Sequence, residues 1–147
     1  GSIVAKSSSL KPIKCSKEII PSLIDELPIL FVISALTKGT SKFYNINEVT
    51  KKESNRIKEI GNILVQAGIK FKSTKDSMEI FGRNELELKN RSILVKTKND
   101  HRICMASVIF SLITGIKTKV ENFETVDTSF PGFVKLIKSL GGKIETK

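Results

Sequence analysis

Charged side chains that could bind an anionic substrate and move its protons occur in three short segments of the sequence. These segments are Asp25-Glu26, Lys52-Glu53-Ser54-Asn55-Arg56 and Asn99-Asp100-His101-Arg102. Carboxylates act as general bases and acids, and arginine binds phosphate or carboxylate groups through paired hydrogen bonds. Each segment is predicted to start a helix, where unpaired backbone N–H groups and the helix dipole favour anions. The pattern predicts a site for small phosphorylated or carboxylated substrates.

Taken one at a time, these residues also have structural interpretations. Asp25 and Asp100 belong to the residue types that cap helix N-termini. The segment 50–53 has the spacing of a capping box, which would tie Glu53 to the backbone. Lys52 and Arg56 are four positions apart and would share one helix face as solvated charges. Single residues therefore leave both interpretations open.

The two arginines near helix starts favour the binding interpretation. Arg56 and Arg102 are half of the four arginines in the chain. The positive end of a helix dipole suits Asp or Glu better than Arg, so capping does not explain either residue. His101, the only histidine, is compatible with packing and solvation as well as with chemistry.

Helices and strands recur in the same order along the chain. The first unit is predicted to hold a helix over 25–38 ended by Gly39, a strand over 41–46, a helix over 52–67 ended by Gly68, and short strands over 69–72 and 78–81. The second repeats a helix from 99 or 100 to 114 ended by Gly115, a strand over 119–123 and a helix over 129–140. The order is most of a repeated β-α-β-α-β-β unit, with units at about 13–82 and 83–147.

The first helix of each unit is apolar on nearly every face, which is typical of a helix surrounded by protein. The second helix is amphipathic, so it should lie nearer solvent. Two units alone offer few neighbours to cover the apolar helices. We therefore expect one incomplete α/β domain.

Composition excludes several classes of protein. The formal charge of +10 admits nucleic acid, an acidic membrane surface or anionic small molecules as partners. The lysines are dispersed, and the aromatic content of 6% is poor material for base stacking. No apolar run reaches the roughly 18 residues of a membrane span. Cys15 and Cys104 lack the spacing of a zinc site or disulfide scaffold, so no metal and a reducing, cytoplasmic setting are expected. Glycine-rich phosphate loops and nucleophile elbows are also lacking in the sequence.

Four ordered motifs together resemble one family. They are the segments 20–30, 52–56, 99–102 and 128–133, and the segment 9–13 resembles the strand that precedes them. In this order and spacing they closely resemble the C-terminal part of the EPSP synthase family, the 3-phosphoshikimate 1-carboxyvinyltransferases. The resemblance covers nearly the whole chain.

The resemblance implies a fold of two similar domains, each made of three β-α-β-α-β-β units around buried parallel helices, an inside-out α/β barrel. Residues 1–147 would form part of the C-terminal domain, and the N-terminal domain would be a further part of the same polypeptide. The implied reaction transfers the enolpyruvyl group of phosphoenolpyruvate to the 5-hydroxyl of shikimate 3-phosphate and releases phosphate, without metal or organic cofactor. This chain alone would be inactive.

The resemblance also implies roles for single residues. Asp25 would bind substrate and accept the proton of the attacking hydroxyl, and Glu53 would take part in proton transfer at the enol carbon. Lys52 would bind substrate on the side of the site that holds shikimate 3-phosphate, while Arg56 and Arg102 would bind phosphoenolpyruvate. Further candidates for substrate binding are Glu48 and His101.

Two positions depart from the family pattern. Asn55 stands where an acidic residue is common, and Thr128 stands where some members carry a phosphoenolpyruvate-binding lysine. Two other functions stay open on the sequence alone. One is the related carboxyvinyl transfer to a UDP-amino sugar, and the other is a basic nucleic-acid-binding module motivated only by net charge.

Overall fold

The computed structural model describes residues 1–4, 6–83 and 92–145. Its helices are α1 Ile20–Leu23, α2 Leu27–Ala35, α3 Arg56–Gln66, α4 His101–Thr114 and α5 Phe133–Ser139. Its strands are β1 Lys14–Cys15, β2 Gly39–Tyr44, β3 Lys70–Ser73, β4 Ser77–Gly82, β5 Ser92–Lys96 and β6 Lys117–Glu121. Two 3-10 turns, Asn47–Lys51 and Phe123–Thr128, each precede an amphipathic helix.

The strands form two sheets that begin in the same way. In the first, β1 pairs with β2 in parallel and the antiparallel strands follow, in the order β1-β2-β4-β3. In the second, β5 pairs with β6 in parallel, with Ile93 opposite Thr118 and Val95 opposite Val120. The mixed α/β class is therefore confirmed. The unit boundary predicted at 83 adjoins residues 84–91, which lie outside the described part of the chain.

Helices α2 and α4 form the centre of the core, because each is apolar around most of its circumference. Phe31 of α2 packs edge-on against Phe43 of β2, with ring centroids 4.9 Å apart. Phe31 and Phe110 of α4 are both fully buried. At the C-terminal end of α4, however, Leu112 and Ile113 are exposed. The prediction of surrounded helices holds for α2 and for the first part of α4.

The first long helix is shorter than predicted at both ends. Pro28 occupies its first turn, as expected for a residue without a backbone N–H. The helix ends near Leu36, whose N–H bonds the carbonyls of Val32 and Ile33. Gly39 was expected to cap this helix, but it begins β2 instead, with φ 120°. Thr37 helps to end the helix by donating its hydroxyl to the Ile33 carbonyl.

The prediction that Lys52 and Glu53 start a helix is wrong. Lys52 has extended backbone geometry after the first 3-10 turn, and α3 begins only at Arg56. Asn55 caps α3 by accepting a hydrogen bond from the Lys58 N–H at 3.1 Å. The predicted capping box does not form, because the Thr50 hydroxyl donates to the Asn47 carbonyl instead.

The second unit follows its predicted order with shifted boundaries. Gly115 ends α4 in the left-handed conformation, as predicted, and β6 begins and ends two residues earlier than predicted. The last helix begins at Phe133 rather than 129, because Gly132 before it has φ 88°, outside helical geometry. Among the described residues, no helix is both long and apolar enough to cross a bilayer.

Candidate functional site

The starts of α2, α3 and α4 meet at one end of the domain, and their charged side chains form a connected cluster. Asp25 lies just before α2, Arg56 is the first residue of α3, and Arg102 is the second residue of α4. Asp25 Oδ1 lies 2.8 Å from Arg56 Nη1 and 3.3 Å from Lys52 Nζ. Although Lys52 precedes α3, the extended segment still carries it to Asp25. The structure thus brings together the main residues predicted for the site.

Arg56 is the centre of this cluster. Its side chain is 1% exposed, yet three carboxylates surround it. Nη1 donates to Asp25, Nη2 donates to Glu53 Oε2 at 2.7 Å, and Nε donates to Asp100 Oδ2 at 2.9 Å. Burial alone would lower the pKa of Arg56, but its hydrogen bonds to Asp100 and Asp25 raise that pKa above its ordinary value. The guanidinium is therefore fully ionised.

Asp100 and Glu26 belong to the cluster but were not among the predicted site residues, and Asp100 is the buried one of the two. Its side chain is 0% exposed. It caps α4 by accepting hydrogen bonds from the backbone N–H groups of Arg102 and Ile103, as its residue type suggested. It also accepts from Ser54 Oγ at 2.9 Å and from Arg56. The capping pattern was visible in the sequence, but its contact with a segment 44 positions earlier was not.

Asp25 is held in its ionised form. The hydrogen bond from Arg56 lowers the pKa of Asp25 most, burial opposes this, and the hydrogen bond and charge of Lys52 and the charge of Arg102 lower it further. The carboxylate remains 40% exposed, so a ligand can reach it. A deprotonated, accessible carboxylate beside three cations can accept a proton from a bound hydroxyl.

Arg102 reaches from α4 back to the start of α2. Its Nη1 donates to the Asp25 carbonyl at 3.1 Å and to Glu26 Oε1 at 3.3 Å, and its Nη2 lies 4.0 Å from Asp25 Oδ2. The side chain is 31% exposed. Arg56 and Arg102 therefore lie on either side of Asp25, with one buried and one open to solvent.

The remaining predicted positions lie at the margin of the cluster. Glu48 is exposed on the first 3-10 turn, and the described residues offer it no ion pair. His101 opens α4 between Asp100 and Arg102 and is partly buried. Thr128 is exposed at the end of the second 3-10 turn, where its hydroxyl donates to the Thr125 carbonyl at 2.7 Å. Within the described part of the chain, neither Glu48 nor Thr128 has an ion pair or side-chain hydrogen bond to a residue of the charged cluster.

The cluster is nearly neutral in spite of the basic chain. It contains four carboxylates and three cations, so its net charge is −1: Asp25, Glu26, Glu53 and Asp100 against Lys52, Arg56 and Arg102. The cations are paired with acids of the same chain. An incoming anion must replace those acids or find further positive charge elsewhere.

The two cysteines do not offer a nucleophile. Both are buried and unpaired. Burial raises the pKa of the Cys104 thiol to about 11 and also raises that of Cys15. In the described ranges, no three His, Cys, Asp or Glu side chains are grouped to hold a metal ion.

The sequence model for EPSP synthase, 3-phosphoshikimate 1-carboxyvinyltransferase, matches residues 1–137. The chain belongs to the EPSP synthase family. A relative from Paramagnetospirillum magneticum, named 3-phosphoshikimate 1-carboxyvinyltransferase, is 34% identical over 142 residues, which are 97% of this chain and 31% of the relative. A second relative with the same name, from Campylobacter jejuni, is 37% identical over 145 residues, which are 99% of this chain and 32% of the relative.

Solved EPSP synthase structures have the same fold. Two from Acinetobacter baumannii superpose with TM-scores of 0.85 and 0.83 at 31% and 29% identity. The superposed regions cover 93% and 95% of this chain. They make up 32% and 31% of the two Acinetobacter baumannii chains. The expected resemblance to the EPSP synthase family is therefore confirmed. The chain spans about a third of the length of the relatives that it matches.

Proposed function

We propose that this chain is part of the C-terminal domain of a 3-phosphoshikimate 1-carboxyvinyltransferase and forms one wall of its active-site cleft. The observation that carries the proposal is the convergence of Asp25, Lys52, Glu53, Arg56 and Arg102 in a chain of the EPSP synthase family. In the proposed reaction the 5-hydroxyl of shikimate 3-phosphate adds to C2 of phosphoenolpyruvate while C3 is protonated. The tetrahedral intermediate then loses phosphate to give the enolpyruvyl ether.

The side chains divide the proposed work between proton transfer and charge. Asp25 accepts the hydroxyl proton, and Glu53 takes part in proton transfer at C3. Arg56 and Arg102 bind phosphoenolpyruvate, and Lys52 binds on the shikimate-phosphate side. When phosphoenolpyruvate replaces Asp25 at the Nη1 group of Arg56, the strongest cause of the lowered Asp25 pKa is removed, and Asp25 becomes a stronger base.

Charge explains why this wall cannot work alone. Both substrates are multiply charged anions, and the cluster has a net charge of −1 with its cations already paired. Bringing the substrates together requires additional cations facing this cluster. We propose that the rest of a longer polypeptide supplies them. The phosphoenolpyruvate contact made by a lysine in some relatives, where Thr128 stands here, is either absent or supplied by another residue.

The less central predictions remain part of the proposal. His101 lies between two cluster residues and is a candidate contact for substrate. Glu48 is exposed on its turn and remains a further candidate contact for substrate. The proposed reaction needs no cofactor, and the cysteine usage keeps the cytoplasm as the predicted compartment.

The identity of the acceptor can be tested with the complete gene product that contains this chain. Phosphate release from phosphoenolpyruvate is measured with shikimate 3-phosphate or with UDP-N-acetylglucosamine as acceptor. We expect release only with shikimate 3-phosphate. Release only with the UDP-sugar would support the related transferase, and release with neither acceptor would refute both.

A further inference from the structure

We propose that Asp100 is a positioning residue for anion binding: it holds the Nε edge of Arg56 and the first turn of α4, so that Arg56 and Arg102 face one bound anion at a fixed separation. This inference rests on the proposed function and assigns a role to a residue outside the predicted site. Asp100 would act through the two arginines, without touching substrate.

The three carboxylates around Arg56 differ in whether a ligand can displace them. Asp25 is 40% exposed and Glu53 is 46% exposed, and they occupy Nη1 and Nη2. Asp100 is fully buried; its Oδ2 accepts from Nε at 2.9 Å and its Oδ1 accepts a longer hydrogen bond from Nη2 at 3.5 Å. A substrate anion can replace the two exposed acids, whereas Asp100 stays in place. The guanidinium would then present Nη1, and the side of Nη2 that Glu53 had occupied, to the ligand, while Asp100 keeps its contacts with Nε and Nη2.

The same carboxylate also orients Arg102. Asp100 Oδ1 accepts from the Arg102 N–H at 3.0 Å and from the Ile103 N–H at 3.4 Å, so it fixes the first turn of α4. Its Oδ2 accepts from Ser54 and Arg56, which come from the start of α3. One buried side chain therefore joins the two elements that carry the arginines. Both oxygens of the Asp100 carboxylate accept hydrogen bonds in this arrangement.

An unusual turn brings Asp100 to this position. Lys98 and Asn99 both have positive φ, at 54° and 61°, and the Asp100 N–H closes the turn on the Thr97 carbonyl at 3.0 Å. Side chains with Cβ atoms rarely adopt two such angles in succession. Two hydrogen bonds stabilise the turn. The Thr97 hydroxyl donates to the Glu121 carbonyl, and the Thr125 hydroxyl donates to the Asn99 carbonyl. The surrounding contacts thus hold Asp100 in one place before any ligand binds.

The positioning contact can be read in this chain without any assay of activity. Arginine Nε–H groups give separate NMR signals, and Arg56→Lys identifies the signal of Arg56. In wild type we expect the Arg56 Nε–H to exchange slowly with water because it is buried and bonded to Asp100. In Asp100→Asn, which keeps a good capping residue, exchange should accelerate about tenfold or more. Unchanged exchange would overturn the proposal.

The consequence for binding is measured with the complete gene product. For Asp100→Asn we expect KM for phosphoenolpyruvate to rise about tenfold or more, a larger change than that in kcat. Phe110→Leu, a core change farther along α4, is the structural control. It reduces the folded fraction and hence kcat, but should leave KM unchanged. An equal rise of KM in Phe110→Leu, or no rise in Asp100→Asn, would overturn the positioning role.

A second variant keeps the test decisive if Asp100→Asn does not fold. Ser54→Ala removes one hydrogen bond to Asp100 while leaving both arginines in place. We expect the same direction of change in exchange and KM, at about two- to threefold, and an unchanged KM would overturn the proposal. Inactive wild-type gene product would refute the proposed function, while the NMR comparison would still decide whether Asp100 holds Arg56.

Discussion

At the scale of single residues, the site is a set of opposite charges that neutralise one another. Sequence reasoning identified Asp25, Glu53, Arg56 and Arg102 because their types and motif order suit an anionic substrate. It did not show that Arg56 is buried or that Asp100 lies against it, since both facts depend on packing between α3 and α4. Long-range pairing of buried charges has no signature in local spacing.

Asp25 should make stability depend on pH in a defined direction. Its folded pKa lies below the unfolded value of about 3.9, so its ionised form stabilises the fold above that pH. The contribution is lost as pH falls through the folded pKa. Relative to Asp25→Asn, wild type should be more stable at pH 6, by less than about 1 kcal/mol because the carboxylate is 40% exposed. The difference should shrink below about pH 4.

Urea unfolding of both proteins at several pH values measures this difference. Asp127→Asn is a control, because Asp127 is exposed on the second 3-10 turn. The pH dependence of this variant gives the background against which that of Asp25→Asn is judged. A gap between wild type and Asp25→Asn that widens on acidification would contradict the assigned pairing.

Removing Arg56 should be far more costly than removing Arg102. Arg56→Met leaves Asp100 buried without its cation and should lower the free energy of unfolding by about 3 to 5 kcal/mol. Arg102→Met, at a partly exposed position, should cost less than about 1 kcal/mol. Adding Asp100→Asn to Arg56→Met should recover part of the loss, because the unpaired charge is gone. Urea unfolding measures the losses of the two single variants and of the double variant. If the losses for Arg56→Met and Asp100→Asn simply added in the double variant, the coupling between these residues would be contradicted.

At the scale of elements, side-chain caps mark where α3 and α4 begin. The apolar pattern predicted the existence and order of α2, α3 and α4, and Gly68 and Gly115 marked two helix ends correctly. It did not reveal the 3-10 turn Asn47–Lys51, because such a short turn has no hydrophobic period of its own. The start of α3 was therefore predicted too early.

The cap at Asn55 gives a direct test of this boundary. Asn55→Ala removes the acceptor for the Lys58 N–H and should destabilise the chain by about 1 kcal/mol. Asn55→Asp, which restores the acidic residue common in the family, should preserve stability because Asp caps equally well. Lys58→Ala is the exposed control and should stay within about 0.5 kcal/mol of wild type. Equal stability of the Asn55→Ala variant and wild type would place the helix start elsewhere.

Helix α3 also supports β5 through one side chain. The Gln66 amide donates to the Leu94 carbonyl at 2.8 Å and accepts from the Leu94 N–H at 2.9 Å, which imitates a strand pairing. Gln66→Ala should destabilise the chain by up to about 1 kcal/mol and speed hydrogen exchange at the Leu94 amide. Val65→Ala changes the exposed neighbour and should leave that exchange unchanged. Equal exchange in both variants would show that the Gln66 contact does not support the strand.

At the scale of the whole molecule, two related units place three helix starts at one end. The repeat was visible in the sequence through the recurring order of apolar helix, strand and amphipathic helix. The parallel pairing of β5 with β6, joined through α4, repeats that of β1 with β2, joined through α2. The network of contacts within the site was not predictable, because it depends on how the units pack together.

The central claim is that this chain forms one wall of a carboxyvinyltransferase cleft, and phosphate release tests it most directly. The assay compares this chain with the complete gene product, each given phosphoenolpyruvate and shikimate 3-phosphate. We predict phosphate release by the complete product on the order of 10 per second, a typical enzyme rate, and none above background by the chain alone. Turnover by the chain alone, or no turnover by the complete product, would contradict the claim.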